Sequence, residues 1–222
     1  MNRLAIIPAR GGSKRIPRKN IRPFLGIPII AYSIRAALQS GLFTEVMVST
    51  DDKEIAGIAQ EYGASIPFLR SGKNADDHAT TIDVIAEVIE TYKKKGLEFE
   101  EAACIYPSAP FVSSERLINF QEERAKKDLD CVFPVLKYSY PIQRALELDD
   151  FGRMKMVNPE HLITRSQDLE NRYHDAGQFY FFKVSALICE HKLWTKNTGA
   201  IVIPEIFAQD IDHEEDWELA EF

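Results

Sequence analysis

The chain has 222 residues, 45% of them hydrophobic and 27% charged, a balance in which buried apolar surface offsets the entropy of ordering and which excludes a disordered chain. One α/β domain, residues 1–222, accounts for that length. A net charge of −7, from 27 Lys and Arg against 34 Asp and Glu, argues against nucleic acid as a partner but leaves room for a local basic pocket around a small anion.

Residues 4–8 (LAIIP) form a short apolar run that reads as a fully buried strand, and a glycine-rich loop follows at 9–13. Ile30, Ile34, Ala37 and Leu38 share one helical face, with Gly41 as a stop. EVMVS (45–49) is a second strand. Asp51, with Glu54 three residues on, resembles a capping box for a helix that buries Ile55, Ile58, Ala59 and Tyr62 and closes at Gly63. Thr80 with Asp83 opens another helix, with Ile82, Ile85, Ala86 and Ile89 on one face and Gly96 at its end. Strands at 103–106 and 131–135 flank a polar helix at 114–127. Helices of this length between strands are crossover connections, so the pattern predicts an α/β fold with a mostly parallel sheet and flanking helices. Ligands in such sheets bind beyond the carboxyl ends of the strands. Residues 10–14, Asp51-Asp52 and 107–110 all fall there.

Residues 138–168 contain Pro141, Gly152 and Pro159, keep no period and are too long for an ordinary connection. They predict an excursion from the sheet, a flap or an oligomer arm. QFYFFK (178–183) and residues 200–203 read as further strands, and 212–222 as a final acidic helix.

Cys104, Cys131 and Cys189 have no zinc-like spacing, and the first two stand in apolar runs, so they read as reduced thiols of a reducing compartment. The opening MNRLAIIPARGG has too short an apolar core for a secretory signal. No run approaches the roughly 20 apolar residues of a membrane span. A cytoplasmic protein without a membrane partner is expected.

Four segments carry chemistry. In IPARGGSKRIPRKN (7–20) a strand enters a loop with two glycines, Ser13 and five basic residues. Glycines let backbone N–H groups approach an anion, and Arg10 and Lys14 supply charge. Arg15, Arg18 and Lys19 add to it, though Arg15 and Arg18 read equally well as solvated. The loop matches neither G-x-x-x-x-G-K-[ST] nor G-x-G-x-x-G. In QDIDHEED (209–216), Asp210 and Asp212 share one face of an extended segment and could meet a hard cation. The competing reading makes Asp212 the N-cap of the last helix, with Glu214, Glu215 and Asp216 as first-turn acids. YPSAPF (106–111) is a proline-stiffened turn after a strand, either a pocket wall or plain structure. In RSQDL (165–169) and YHDAGQFYFF (173–182), Arg165 offers a planar fork for a carboxylate. His174 and Asp175 are adjacent, but no serine stands in a nucleophile-elbow setting, so a triad is unsupported.

With these segments together, the chain resembles the cytidylyltransferases that activate nine-carbon acidic sugars as CMP derivatives. The shared features are IPARGGSK…KN, the VSTDD turn, the arginine of FLR before ADDHATT, and DID near the C-terminus. YPSAPF, YSYPIQRAL, RSQDL and YHDAGQFY are similar to the branch acting on pseudaminic acid, whereas the sialic acid branch typically has QPTSPLR where this chain has YPSAPFV. The resemblance implies a nucleotide-diphospho-sugar transferase-like, Rossmann-like fold, with CTP and the sugar as substrates. It implies a nucleotide site of Arg10, Gly12, Ser13, Lys14, Asn20, Arg70, Asp77, Pro107 and Ser108, with Arg10 and Lys14 at the triphosphate and Arg70 and the segment 76–81 bordering the cytidine. It implies Mg2+ on Asp210 and Asp212, these two joining Arg10 and Lys14 as the catalytic set. Tyr106, Arg165, Gln167, Asp175 and Gln178 are the expected sugar-site residues, and the 138–168 arm is expected to make a homodimer. CMP-sialic or CMP-legionaminic acid synthesis stays open, as do a nucleotide-sugar glycosyltransferase and a non-catalytic nucleotide-binding module. The residue that takes the hydroxyl proton is not assigned.

Overall fold

The computed structural model describes residues 2–76 and 79–222. In chain order its elements are β1 (Arg3–Pro8), β2 (Pro23–Phe24), β3 (Ile27–Pro28), α1 (Ile30–Ser40), β4 (Glu45–Ser49), α2 (Lys53–Glu61), α3 (Thr81–Lys94), β5 (Glu101–Ile105), α4 (Ser114–Lys126) and β6 (Cys131–Lys137). Then come β7 (Leu146–Leu148), β8 (Met154–Met156), β9 (Tyr173–Asp175), β10 (Phe179–Lys183), α5 (Val184–Glu190), β11 (Thr198–Val202) and α6 (Glu214–Glu221).

The main sheet runs β4-β1-β5-β10-β6-β11. β1 is parallel to β4 and β5, and β11 is parallel to β6. The apolar run Leu4–Ile7 is fully buried, as a parallel strand covered on both faces must be. β10 is the reversed strand, antiparallel to both β5 and β6. The chain returns along β6 as β9 and continues in the same direction as β10, so it arrives without a crossover helix.

One face of the sheet packs Ile30, Ile34, Ala59, Leu117 and Phe120, from α1, α2 and α4. The other packs Ile85, Val88, Tyr92, Val184 and Leu187, from α3 and α5. A third cluster joins the two ends of the chain through Ile16, Phe24, Ile29, Ile211, Trp217 and Ala220. Leu38, expected on the buried face of α1, is 44% exposed; the helix buries Ala31, Ser33 and Ala36 instead.

Helix starts follow capping chemistry with two corrections. Thr80 and Asp83 form the capping box of α3. For α2 the cap is Asp52, not Asp51: its carboxylate accepts from the N–H of Glu54 and of Ile55, at 2.8 and 3.1 Å. α6 starts at Glu214 with His213 in the cap position, so Asp212 lies outside it. Asp216 turns back to accept from the N–H of Asp212 and His213, at 2.9 and 2.7 Å. The buried Glu101 takes Arg3 at 2.7 Å and also pairs with Arg124, an ion pair that joins β5 to α4.

Residues 138–168 lie off the main sheet. They carry the β7–β8 hairpin and leave large apolar side chains in solvent, Phe151 at 83% and Ile163 at 92% exposure. Among the described residues, no helix is long and apolar enough to cross a membrane.

Candidate active site

The loop after β1 is held from three directions. The N–H of Gly11 donates to Asp51 Oδ1 at 3.1 Å. The buried Asn20 donates from Nδ2 to the carbonyl of Arg10 at 3.0 Å. Ile16, 1% exposed, plugs into the third core cluster. A Cβ on Gly11 would lie 2.7 Å from Asp52 Oδ2, whereas one on Gly12 would meet nothing within 4 Å. The close approach therefore calls for glycine at 11 and not at 12, the glycine expected in the nucleotide site.

This loop forms one wall of a cavity of about 300 Å³, through Arg10, Ser13, Lys14, Arg15, Lys19 and Asn20. Arg70, Asn74, Asp76 and Thr81 form a second wall, and Tyr106, Pro107 and Ser108 a third. Arg70 is fixed by donation to Ser49 Oγ at 3.1 Å and to the Ser49 carbonyl at 2.5 Å. Arg10 donates to the Asp76 carbonyl at 3.4 Å. The backbone of Tyr106 is held at both ends, its N–H by the Gln178 carbonyl at 2.9 Å and its carbonyl by the Ser33 hydroxyl at 2.8 Å. Burial raises the proton affinity of its phenol. Arg18 turns away: it pairs with Asp52 at 2.5 Å and with Glu54. Arg15 and Arg18, indistinguishable in sequence, thus part company.

The acidic segment does not line this cavity but is tied to two residues that do, Arg15 and Lys19. Ile211 is fully buried and leaves Asp210 and Asp212 to either side of it. Arg15 Nη2 is 2.7 Å from Asp212 Oδ1, and Lys19 Nζ is 3.8 Å from the same oxygen. Lys19 also donates to the Ile211 carbonyl at 2.6 Å. Desolvation holds the Asp210 carboxyl above its ordinary range, and the charge of Asp212 adds to this. Among the described residues, none donates a hydrogen bond to the Asp210 carboxylate. Asp210 is exposed, so its carboxylate is open to solvent and to a cation. Two carboxylates are the protein share that Mg2+ ordinarily takes, the rest being waters and phosphate oxygens. Among the described residues, no group of three or more His, Cys, Asp or Glu could hold a metal alone.

The remaining sequence candidates divide. Asp175 Oδ1 accepts from the Gly177 N–H at 2.8 Å, and its other oxygen accepts from the Tyr180 hydroxyl. Desolvation raises its pKa. Gln178 is buried with its amide engaged: Nε2 donates to the Phe207 carbonyl at 2.5 Å and Oε1 faces Arg116 at 3.5 Å. That amide is engaged within the fold, and Gln178 does not line the cavity. Arg165 and Gln167 are exposed on the arm and do not line the cavity. Asp77 lies outside the described residues. Gly11, Arg15, Lys19 and Asn74 are absent from the expected site, whereas Asp76 and Thr81, in the segment expected to border the cytidine, line the cavity. Arg15 and Lys19 carried a signal in the basic run, and Gly11 and Asn74 carried none beyond their types.

A basic loop at the carboxyl edge of a mostly parallel sheet, tied through Arg15 and Lys19 to an acidic segment, is an arrangement suited to binding the phosphates of a nucleotide. Comparison with known proteins agrees. The family described as Cytidylyltransferase matches residues 4–196, and the chain belongs to it. The chain is 41% identical over 220 residues to a pseudaminic acid cytidylyltransferase of Campylobacter jejuni, covering 99% of this chain and 95% of the relative. It is 35% identical over 231 residues to a CMP-N,N'-diacetyllegionaminic acid synthase of Legionella pneumophila, covering 100% and 95%. The solved structure of a CMP:2-keto-3-deoxy-manno-octonic acid synthetase complexed with CTP shares the fold, with TM-score 0.71 and 17% identity, covering 100% of this chain and 97% of that one.

Proposed function

We propose that this cytidylyltransferase transfers CMP from CTP to pseudaminic acid and releases pyrophosphate. The observation that carries the reading is the joining of the basic loop to the Asp210–Asp212 segment by Arg15 and Lys19, which line the cavity and reach Asp212. The near-full-length similarity to the Campylobacter jejuni relative supports the choice of sugar.

In this reading the anomeric hydroxyl of the sugar attacks the α-phosphorus of CTP. The bond from that phosphorus to the bridging oxygen of the β-phosphate breaks, and pyrophosphate leaves. Such transfer depends mainly on positioning and charge stabilisation. Arg10 and Lys14 hold the phosphates and take up charge as pyrophosphate departs. Asn20 and Gly11 keep the loop in place, and Arg70 and Ser108 border the nucleoside. Magnesium on Asp210 and Asp212 would neutralise charge on the phosphate oxygens. The arm, with its exposed Phe151 and Ile163, is the surface we assign to a second copy of the chain. The free thiols of Cys104, Cys131 and Cys189 support a reducing, cytoplasmic setting.

The test is a panel of pseudaminic, legionaminic and sialic acids with CTP and Mg2+, read by pyrophosphate release. The highest kcat/KM is expected for pseudaminic acid. A preference for sialic acid overturns the choice of sugar, and no pyrophosphate with any sugar overturns the transferase reading.

A further inference from the structure

We propose that Asp175 is a positioning residue for the cation site, holding the Gly177 turn against which the Asp210 carboxylate is seated. The inference rests on the assignment of magnesium to Asp210 and Asp212. It starts from the junction between β9 and β10, where the strand running along β6 is interrupted. Gly177 there adopts φ +65°, a conformation that side chains other than glycine disfavour. Its N–H is bound by Asp175 Oδ1 at 2.8 Å, which closes a local Asx turn. The second oxygen of Asp175 is held by the Tyr180 hydroxyl, from a residue anchored between β5 and β6, so the carboxylate has little freedom.

Asp210 uses the space this turn leaves. A Cβ on Gly177 would lie 3.3 Å from Asp210 Cγ and 3.5 Å from its Oδ1. The Asp210 carboxylate thus lies in the space that a side chain at 177 would crowd, and a change in the turn would press on it. The next residue strengthens the arrangement. Gln178 donates to the Phe207 carbonyl, three residues before Asp210, and its own carbonyl holds the N–H of Tyr106. The segment 175–178 therefore joins the segment before Asp210 to the pocket wall at Tyr106. Partners that orient a metal ligand matter nearly as much as the ligand itself.

The experiment titrates Mn2+ into the protein with CTP present and sugar absent, following the electron paramagnetic resonance signal of free Mn2+. Asp175→Ala is expected to weaken Mn2+ binding by about tenfold or more, and saturating Mg2+ should restore much of kcat with the KM for CTP little changed. Asp175→Asn keeps an oxygen for the Gly177 N–H and should bind Mn2+ close to the parent. Gly177→Ala crowds Asp210 directly and should behave like Asp175→Ala; it carries the test against Asp175→Asn if Asp175→Ala does not fold. Parent-like Mn2+ affinity in Asp175→Ala, with Asp210→Asn weakened, overturns the inference alone. Asp175→Asn as weak as Asp175→Ala would assign the effect to charge and overturn it as well. Undiminished Mn2+ binding in Asp210→Asn overturns the magnesium assignment, and this inference with it.

Discussion

Lys19 donates to the carbonyl oxygen of Ile211 at 2.6 Å, across 192 residues of sequence. That contact ties the basic loop to the acidic segment, and the packing of Ile16 with Ile211 in one apolar cluster backs it. Burial lowers the proton affinity of the Lys19 ammonium, against the opposing pull of Asp212 and Asp210. The two charged halves of the site are therefore assembled by folding and do not await a ligand.

Lys14→Ala is expected to lower kcat by about 10²–10³-fold, the usual cost of removing one donor from developing charge. The side chain is exposed, so the thermal midpoint should stay near that of the parent. Steady-state kinetics with CTP, beside a melting curve, check both halves. Wild-type kinetics would remove Lys14 from the phosphate site.

Asp212→Asn separates the two sequence readings of that residue. Its ion pair with Arg15 is partly exposed and contributes about 0–1 kcal/mol, and the helix cap is elsewhere, so stability should barely change. The Mg2+ concentration for half-maximal rate should rise and kcat should fall. An unchanged Mg2+ dependence would return Asp212 to a structural role.

Gly11→Ala and Gly12→Ala should differ sharply. The added methyl at 11 meets the Asp52 carboxylate, an overpacking that costs about 1–3 kcal/mol, and should weaken CTP binding. At 12 it meets nothing within 4 Å. Urea midpoints and the KM for CTP of the two variants decide the matter, and equal effects would refute the steric argument.

Asp52 gives stability a pH dependence. Arg18, with the N–H groups of Ile55 and Glu54, holds its pKa below 3.8 in the folded chain. A depressed carboxylate stabilises the fold above its unfolded value, and that contribution fades as pH falls through the folded one. Asp52→Ala should cost about 1 kcal/mol at neutral pH, as lost caps do, and the gap to the parent should narrow below about pH 4. Chemical denaturation at pH 7 and pH 3 measures it; a gap that widens in acid would contradict the sign.

The arm should mediate self-association. Light scattering at micromolar concentration is expected to give twice the mass of one chain. Ile163→Asp and Phe151→Asp, which add charge to the most exposed apolar positions of the arm, should give one. A monomeric parent would remove the arm as a dimer surface.

Much of the architecture is local and was legible in the sequence. β4 coincides with EVMVS because its apolar centre, Val46, Met47 and Val48, is buried. The start of α3 follows from Thr80 and Asp83, because a capping box closes within four residues. The end of α1 follows from Gly41, which takes φ 63°. The basic loop and the Asp210–Asp212 alternation were visible as residue chemistry at short spacing. The reversed strand β10 was not, since an apolar run carries no direction. Nor did composition distinguish Gly11 from Gly12, Asp51 from Asp52, or Arg15 from Arg18. Those choices depend on the register of β1 against β4, which pairs Pro8 with Ser49 and so brings the glycine loop onto the two aspartates. Register is set by burial along both strands at once. Only the tertiary structure, where residues 40 positions apart come within hydrogen-bonding reach, decides which neighbour of each pair does the work.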